Sequence, residues 1–324
     1  MKALRYENRR LDVVDVAKPN GDGEAIVRVT LSGICNTDLE IVRGYAGFEG
    51  TIGHEFVGVI ETLPSGPSRL RGPRRVGQRV VGEINAGCGR CRLCRAGDPR
   101  HCPDRTVLGI VGRDGAHAEF LKLPVANLIP VPDQISDERA VFTEPLAAAC
   151  NILERTPITK DTRVVVVGDG KLGLLCAQVL SAKGAAVMLI GKHGEKLKIA
   201  SRRGIETATV DRAKKLRREF DLAVEASGAQ SGFPLALDLV RPRGVLVLKS
   251  TFHGATDIEG ARVVVDEISV IGSRCGRFGP ALDLLANNTV DVESLITEEY
   301  SIRDGVRAFA RAANKSVLKV LLRP

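Results

Sequence analysis

Four cysteines fall within fifteen residues as Cys88-x2-Cys91-x2-Cys94-x7-Cys102. Gly89, Arg90, Arg92, Arg95, Gly97 and Pro99 lie between them. Short loops of this composition can bring four thiolates to the corners of a tetrahedron. That is the donor set of a closed structural zinc site, with Zn–S at about 2.3 Å. Neighbouring arginines offset the negative charge of such a centre.

Two other chemistries use clustered cysteines. A disulfide staple needs an oxidising compartment. Met1 to Glu7 is short, charged and strand-like, without the apolar stretch of a secretory leader. A cytoplasmic location with reduced thiols is therefore expected, which favours metal over disulfide. An iron–sulfur run is the sharper rival, and Pro103 follows Cys102. The bacterial run, however, places x3 before its last cysteine, where this chain has x7. Structural zinc is the expectation. Cys150, Cys176 and Cys275 lie in apolar or glycine-rich settings and are expected to be inert buried thiols.

A second element of chemistry is Gly168-Asp169-Gly170-Lys171-Leu172-Gly173, which fits G-x-G-x-x-G. It follows the β-branched run Thr162 to Val167 and precedes a helical stretch, Lys171 to Lys183. That strand–turn–helix context makes it a dinucleotide loop. Gly168 permits the tight turn, Gly170 the approach of a pyrophosphate, and Gly173 close helix–sheet packing. The helix start supplies free N–H groups to the phosphates. The next strand ends in Gly191-Lys192-His193, where an NAD site carries Asp or Glu for the ribose 2′-OH. Gly leaves space for a 2′-phosphate and Lys supplies charge, so NADP(H) is expected to be preferred over NAD(H). On this reading Gly191→Asp moves preference toward NAD.

The rest of the chain must position these groups. Its 324 residues suggest two domains, and 44% hydrophobic with 27% charged residues is an ordinary globular composition. Glu24 to Ser32 alternates as a half-buried strand should, and Gly53 to Glu61 and Arg79 to Glu83 are similar. Pro64 to Pro73 reads as a loop. Beyond residue 160, strands (162–167, 186–190, 221–225, 244–249, 268–271) alternate with helical stretches, which argues for a doubly wound parallel sheet. Val317 to Leu322 is a strand that returns to the first domain.

The order Gly33-Ile34-Cys35-Asn36-Thr37-Asp38, Gly53-His54-Glu55, the four-cysteine run, Thr143-Glu144-Pro145-Leu146 and the glycine-rich loop resembles the zinc-dependent medium-chain dehydrogenase/reductase family. Alcohol, polyol, sugar and threonine dehydrogenases belong to it, and the resemblance covers essentially the whole chain. It implies α/β plus β architecture: a GroES-like β-barrel catalytic domain over 1–145 carrying the zinc lobe at about 85–105, a Rossmann domain over 146–275, and a C-terminal return over 276–324. The active site is expected in the cleft between them.

A catalytic zinc takes three protein ligands and keeps one position open. Cys35, His54 and a carboxylate are expected to fill those places. The resemblance nominates Glu144 as the third ligand, as in the polyol and sugar branches, with Glu55 the second candidate. It also gives Thr37 as the hydroxyl that passes the proton, and it places Glu40 where relatives often carry a relay His. His193 is expected to be a cofactor contact rather than a relay member. His101 and His117, placed near surface loops, receive no role. Tyr45 and Phe48 are candidates for the pocket mouth, and Arg274 and Arg277 for cofactor or acidic-substrate contacts, although structural roles are the stronger expectation for all of them.

The expected activity is reversible hydride transfer between a zinc-bound alcohol, ketone or aldehyde and the nicotinamide of NADP(H). The alternatives are an NAD-linked sugar or threonine dehydrogenase, a zinc-free reductase on the same fold, and a non-catalytic cofactor-binding protein. Cys35, His54 and the two zinc-site carboxylates argue against the zinc-free reductase, and the presence of Cys35, His54 and Gly170 against the non-catalytic protein. Net charge is +8, yet the basic residues are mostly scattered, there is no Trp, and 4% of residues are aromatic. A nucleic-acid partner is not expected. No apolar run approaches the length of a membrane span. The expected partners are a small alcohol or carbonyl substrate and further copies of the chain, as homodimer or homotetramer.

Overall fold

The computed structural model describes residues 1–21, 23–65, 74–251 and 258–324. The expected loop over 64–73 lies largely outside the described residues. The chain forms two units, Met1–Glu144 with Leu295–Pro324, and Pro145–Ser294.

The first unit is a GroES-like β fold. Its central strand β1 (Ala25–Gly33) pairs antiparallel with β2 (Glu55–Thr62), with Phe120–Leu123 and with Lys319–Arg323. β2 pairs in turn with β3 (Arg79–Gly82), and β3 with Leu128–Pro130. Neighbours on both sides explain a departure from the alternation seen in the sequence. Only Arg28 of β1 is exposed, whereas the apolar and small residues around it are buried. Such a strand is core, not the half-buried surface strand that period 2 suggests.

Register is what matters for chemistry here. Gly33 lies opposite Glu55 on one side and Leu321 on the other. The pairing therefore brings Glu55, the residues just after Gly33, and Lys319 of the last strand to one end of β1. Ile34, fully buried among Leu4, Ile41, Ile52 and Val320, anchors the turn out of β1. Burying such a side chain contributes about 1.5–3 kcal/mol. The short helix Asn36–Val42 follows, with Cys35 at its N-cap.

The second unit is a Rossmann fold. Its strands are β4 (Arg163–Val167), β5 (Ala186–Gly191), β6 (Glu206–Thr209), β7 (Phe220–Glu225), β8 (Val240–Leu248) and β9 (Ser269–Gly272). They lie in the order β6-β5-β4-β7-β8-β9, with every pairing parallel. Helix α1 (Lys171–Ala182) links β4 to β5, and α2 (Gly194–Ser201) links β5 to β6. The run Val164 to Val167 is buried, as both-sided coverage of a parallel strand requires. Val165, Met188, Ala223, Phe233 and Leu246 share one core.

The return to the first unit begins at Leu295 rather than at 276. The intervening helix Phe278–Ala286 buries Phe278, Ala281, Leu282 and Leu285. Just beyond it, Gln178 of α1 donates to the Asp291 carbonyl at 3.0 Å and accepts from the Asp291 N–H at 2.6 Å. These contacts hold residues 276–294 in the Rossmann unit.

Candidate functional site

Two groups of metal donors assemble among the described residues. In the first, Cys88, Cys91, Cys94 and Cys102 each place Sγ within 4.8 Å of the others. None is in a disulfide. The Cys88 N–H donates to Cys102 Sγ and the Cys94 N–H to Cys91 Sγ, both at 3.4 Å. Backbone N–H groups of Arg90 and Cys91 pull the Cys88 thiol down to about 6, whereas burial and neighbouring sulfurs push Cys94 up to about 12. Thiols crowded this closely cannot all ionise without a central cation, and a four-thiolate zinc site fits them.

The second group is Cys35, His54 and Glu55, again with donor atoms within 4.8 Å of one another. His54 and Glu55 are buried. Asp38, three residues into the helix turn after Cys35, accepts the Cys35 N–H at 2.7 Å on Oδ2 and lies 3.1 Å from His54 Nδ1 through Oδ1. Its carboxylate so caps the helix that positions one donor and orients the ring of another. With Nδ1 engaged by Asp38, Nε2 of His54 is left for a metal.

Glu55 is held from the far side by Lys319, whose Nζ donates to Oε2 in a pair that is 1% exposed on both partners. Its other oxygen, Oε1, is buried without a hydrogen-bond partner. Burial alone would neutralise Lys319, but Glu55, Cys35 and Asp38 outweigh it and hold the ammonium charged. Burial likewise opposes a charged His54, and Asp38 and Cys35 overcome it. The pocket attracts cations. An orphaned carboxylate oxygen beside a thiol and an oriented imidazole fits a zinc ion with an open position.

Glu144, in the first turn of helix Thr143–Arg155, stands outside that donor set. Burial and the carboxylates of Glu55 and Glu83 push its carboxyl up to about 7, against the opposing pull of His54 and Lys319. Thr37 Oγ1 lies 3.9 Å from Cys35 Sγ. Glu40 is buried on the same helix and accepts from Arg43 Nη1 at 2.7 Å through Oε1.

One residue differs from its expected place. His117 is no surface residue. It is fully buried, with Nδ1 2.9 Å from Ser32 Oγ and Nε2 3.5 Å from Asp38 Oδ2. Phe48 and Tyr45 pack into the core around Leu39 and Ile41. The backbone N–H of Arg277 donates to Glu154 Oε1 at 3.1 Å. His101 is exposed beside Asp98. Cys150 and Cys176 are buried thiols pushed by that burial up to about 12 and about 11, and Cys275 is buried too. Asp38 and Lys319 went unassigned in the sequence. Asp38 carried a local signal, its position three residues after Cys35. Lys319 carried none, since 264 residues separate it from Glu55.

In the Rossmann unit, Gly168 adopts φ +122°, and a Cβ there would collide with Ala226. A Cβ on Gly173 would collide with the Gly168 carbonyl. Gly170 is different, because nothing lies within 4 Å of where its Cβ would be, and it caps α1. Bare backbone at the open start of a helix fits a pyrophosphate. Lys171 and Leu172 open that helix. Gly191 does not leave empty space at the end of β5. Asp169 fills it, and a Cβ on residue 191 would run into the Asp169 carboxylate. Gly191→Asp therefore disrupts this packing and is no clean test of cofactor preference.

Residues 21–133 match the alcohol dehydrogenase GroES-like domain, and residues 172–287 the zinc-binding dehydrogenase domain. A sorbitol dehydrogenase of Halalkalibacterium halodurans is 31% identical over 94% of this chain and 92% of its own. An L-threonine 3-dehydrogenase of Streptomyces avermitilis is 33% identical over 99% of both chains. The NADH complex of the RspB alcohol dehydrogenase from Escherichia coli superposes with TM-score 0.90 at 28% identity, covering 100% of this chain and 99% of that one. An NADP-bound zinc-binding dehydrogenase from Sinorhizobium meliloti gives 0.89 at 26% identity, with the same coverage. The chain belongs to the zinc-dependent medium-chain dehydrogenase/reductase family and is an alcohol-dehydrogenase-type oxidoreductase acting on CH–OH groups.

Proposed function

We propose that this enzyme oxidises a secondary alcohol of polyol type to the ketone, reversibly, with Cys35, His54 and one carboxylate holding a catalytic zinc and Cys88, Cys91, Cys94 and Cys102 holding a structural one. The observation that carries this reading is the contrast between the two donor groups. One is a closed set of four thiols, and the other a three-donor set with an oriented imidazole. The relatives named for sorbitol and threonine support a hydroxyl-rich or amino-alcohol substrate.

When bound, zinc supplies a Lewis acid for the alcohol oxygen and the nicotinamide a hydride acceptor. The substrate then loses a hydride from carbon and a proton from oxygen, and its carbinol carbon becomes a carbonyl. Asp38 keeps His54 in one tautomer and orientation throughout. On this reading Thr37, whose Oγ1 lies 3.9 Å from Cys35 Sγ, is the hydroxyl that passes the substrate proton on. Glu40, three residues further along the helix, is the acceptor proposed to follow it. Glu55, pinned by Lys319, and Glu144, whose neutral form is favoured, are the two carboxylates available as third ligand. The structure favours Glu55 by proximity and the family resemblance favours Glu144.

The NADP(H) preference expected from the sequence required an open, cationic end of β5. Lys192 is exposed there and His193 half-exposed, but the Asp169 carboxylate fills the space between them and the loop. Assembly as a homodimer or homotetramer is supported by the edge strand β9, which pairs only with β8 among the described residues. Val264, Val265 and Val270 are exposed nearby at 76%, 80% and 39%. No helix among the described residues is long and apolar enough to cross a membrane.

The test is reduced-nicotinamide formation with a panel of polyols, secondary alcohols, sugars and threonine, before and after chelation. Turnover of a polyol that chelation abolishes and zinc restores is the expected result. Turnover that survives complete metal removal, or none with any substrate, overturns the reading.

A further inference from the structure

We propose that Asp169 is the residue that sets cofactor selection in this enzyme, and that it selects NAD(H) over NADP(H). The inference rests on the dinucleotide-dehydrogenase reading above and reverses the preference that the sequence suggested. Asp169 occupies the second position of Gly168-Asp169-Gly170, a place with no assigned function. Its side chain does not point to solvent. The residue is 7% exposed, and Oδ2 accepts the backbone N–H groups of Lys192 at 2.7 Å and His193 at 2.6 Å. Oδ1 and Oδ2 each lie 3.1 Å from His193 Nδ1.

These contacts place a carboxylate at the end of the second Rossmann strand, delivered from the glycine-rich loop instead of from the strand itself. That strand end is where an acid reads the ribose 2′-OH. The two N–H groups at the β5–α2 turn are the donors that a 2′-phosphate would need, and Asp169 already saturates them. A phosphate arriving there meets a buried negative charge and no free backbone donor. A ribose hydroxyl meets the reverse, because among the described residues Oδ1 has only the His193 ring as hydrogen-bond partner and retains acceptor capacity. Gly191 belongs to the same device, since any side chain there would expel the carboxylate. The cations facing Asp169 offset part of its charge, since the His193 ring lies against it and Lys196, buried on α2, is attracted to it, while Lys192 is exposed. The occupied N–H groups of Lys192 and His193 therefore carry the discrimination.

Titration of the full chain with NADH and NADPH, followed by nicotinamide fluorescence, tests this without requiring a substrate. Wild type is expected to bind NADH at least about tenfold tighter than NADPH, and Asp169→Asn to shrink that ratio about tenfold, mainly by tightening NADPH. Asp169→Ser is a second variant, and thermal melting checks that both fold. Wild type that binds NADPH more tightly overturns the inference by itself, whatever the variants do. So does an unchanged ratio in a folded variant. If neither dinucleotide binds wild type, the dinucleotide reading falls and takes the inference with it.

Discussion

Asp38 lies 3.1 Å from His54 Nδ1, and both side chains are buried. The same carboxylate takes the Cys35 N–H. One acid therefore fixes two donors that are nineteen residues apart in the chain. Carboxylate partners of metal-binding imidazoles typically contribute about 10–100-fold in metal affinity. Asp38→Asn keeps the size and an acceptor oxygen but loses the charge. Zinc retention at the catalytic site is expected to fall by about that factor in chelator competition. Retention equal to wild type would show that His54 needs no orienting partner.

Lys319 and Glu55 make a prediction about stability. Both are about 1% exposed, so neither charge has water to fall back on. Removing one partner of a buried pair costs about 3–5 kcal/mol, because the other is left uncompensated. Lys319→Met in the metal-free protein is expected to lose that much in denaturant unfolding. Adding Glu55→Gln should restore much of the loss, since the orphaned charge is gone. Additive losses in the double variant would contradict the pairing.

The carboxyl of Glu144, pushed up to about 7 by burial, gives a pH dependence whose sign can be worked out. Its ordinary value is 4.5, so between 4.5 and about 7 the folded metal-free chain binds more protons than the unfolded one. Stability from this group is present below 4.5 and is lost as pH rises through about 7. Glu144→Gln cannot lose a proton there. Its stability, measured by urea midpoint, is expected to decline less than wild type across that window. Parallel profiles would remove Glu144 from the pocket's electrostatics.

The sequence made local chemistry legible and left long-range partnerships hidden. Cys88 to Cys102 and Gly168 to Gly173 carry their meaning in short spacing, because a loop or a turn alone brings the donors together. Cys35 with His54 needed the resemblance, since only the pairing of β1 with β2 puts them side by side. Lys319 reaches Glu55 through strand register at the far end of the chain, which no local pattern encodes. His117 was expected near a surface loop, yet its ring is buried against Ser32. Asp169 received no role in the glycine motif. Its partners are backbone N–H groups, which have no sequence signature at all.

The four-cysteine lobe yields the last prediction. Its ordered backbone is small: a helical turn at Arg92–Arg95, another at Pro99–His101, and the short pairing of Asn85–Ala86 with Thr106–Val107. Cys102 and Arg100 are buried, whereas Arg90, Arg95 and Ala96 are exposed. So little apolar burial cannot hold the loop, and metal binding there is folding energy. Cys94→Ser leaves three thiols and is expected to release one zinc per chain, lower the melting temperature, and open the backbone around Cys88 to Cys102 to hydrogen exchange. NADH binding through the Gly168 to Gly173 loop should survive, because that loop belongs to the other folding unit. Unchanged zinc content and unchanged exchange in Cys94→Ser would mean that packing, and not metal, holds this lobe.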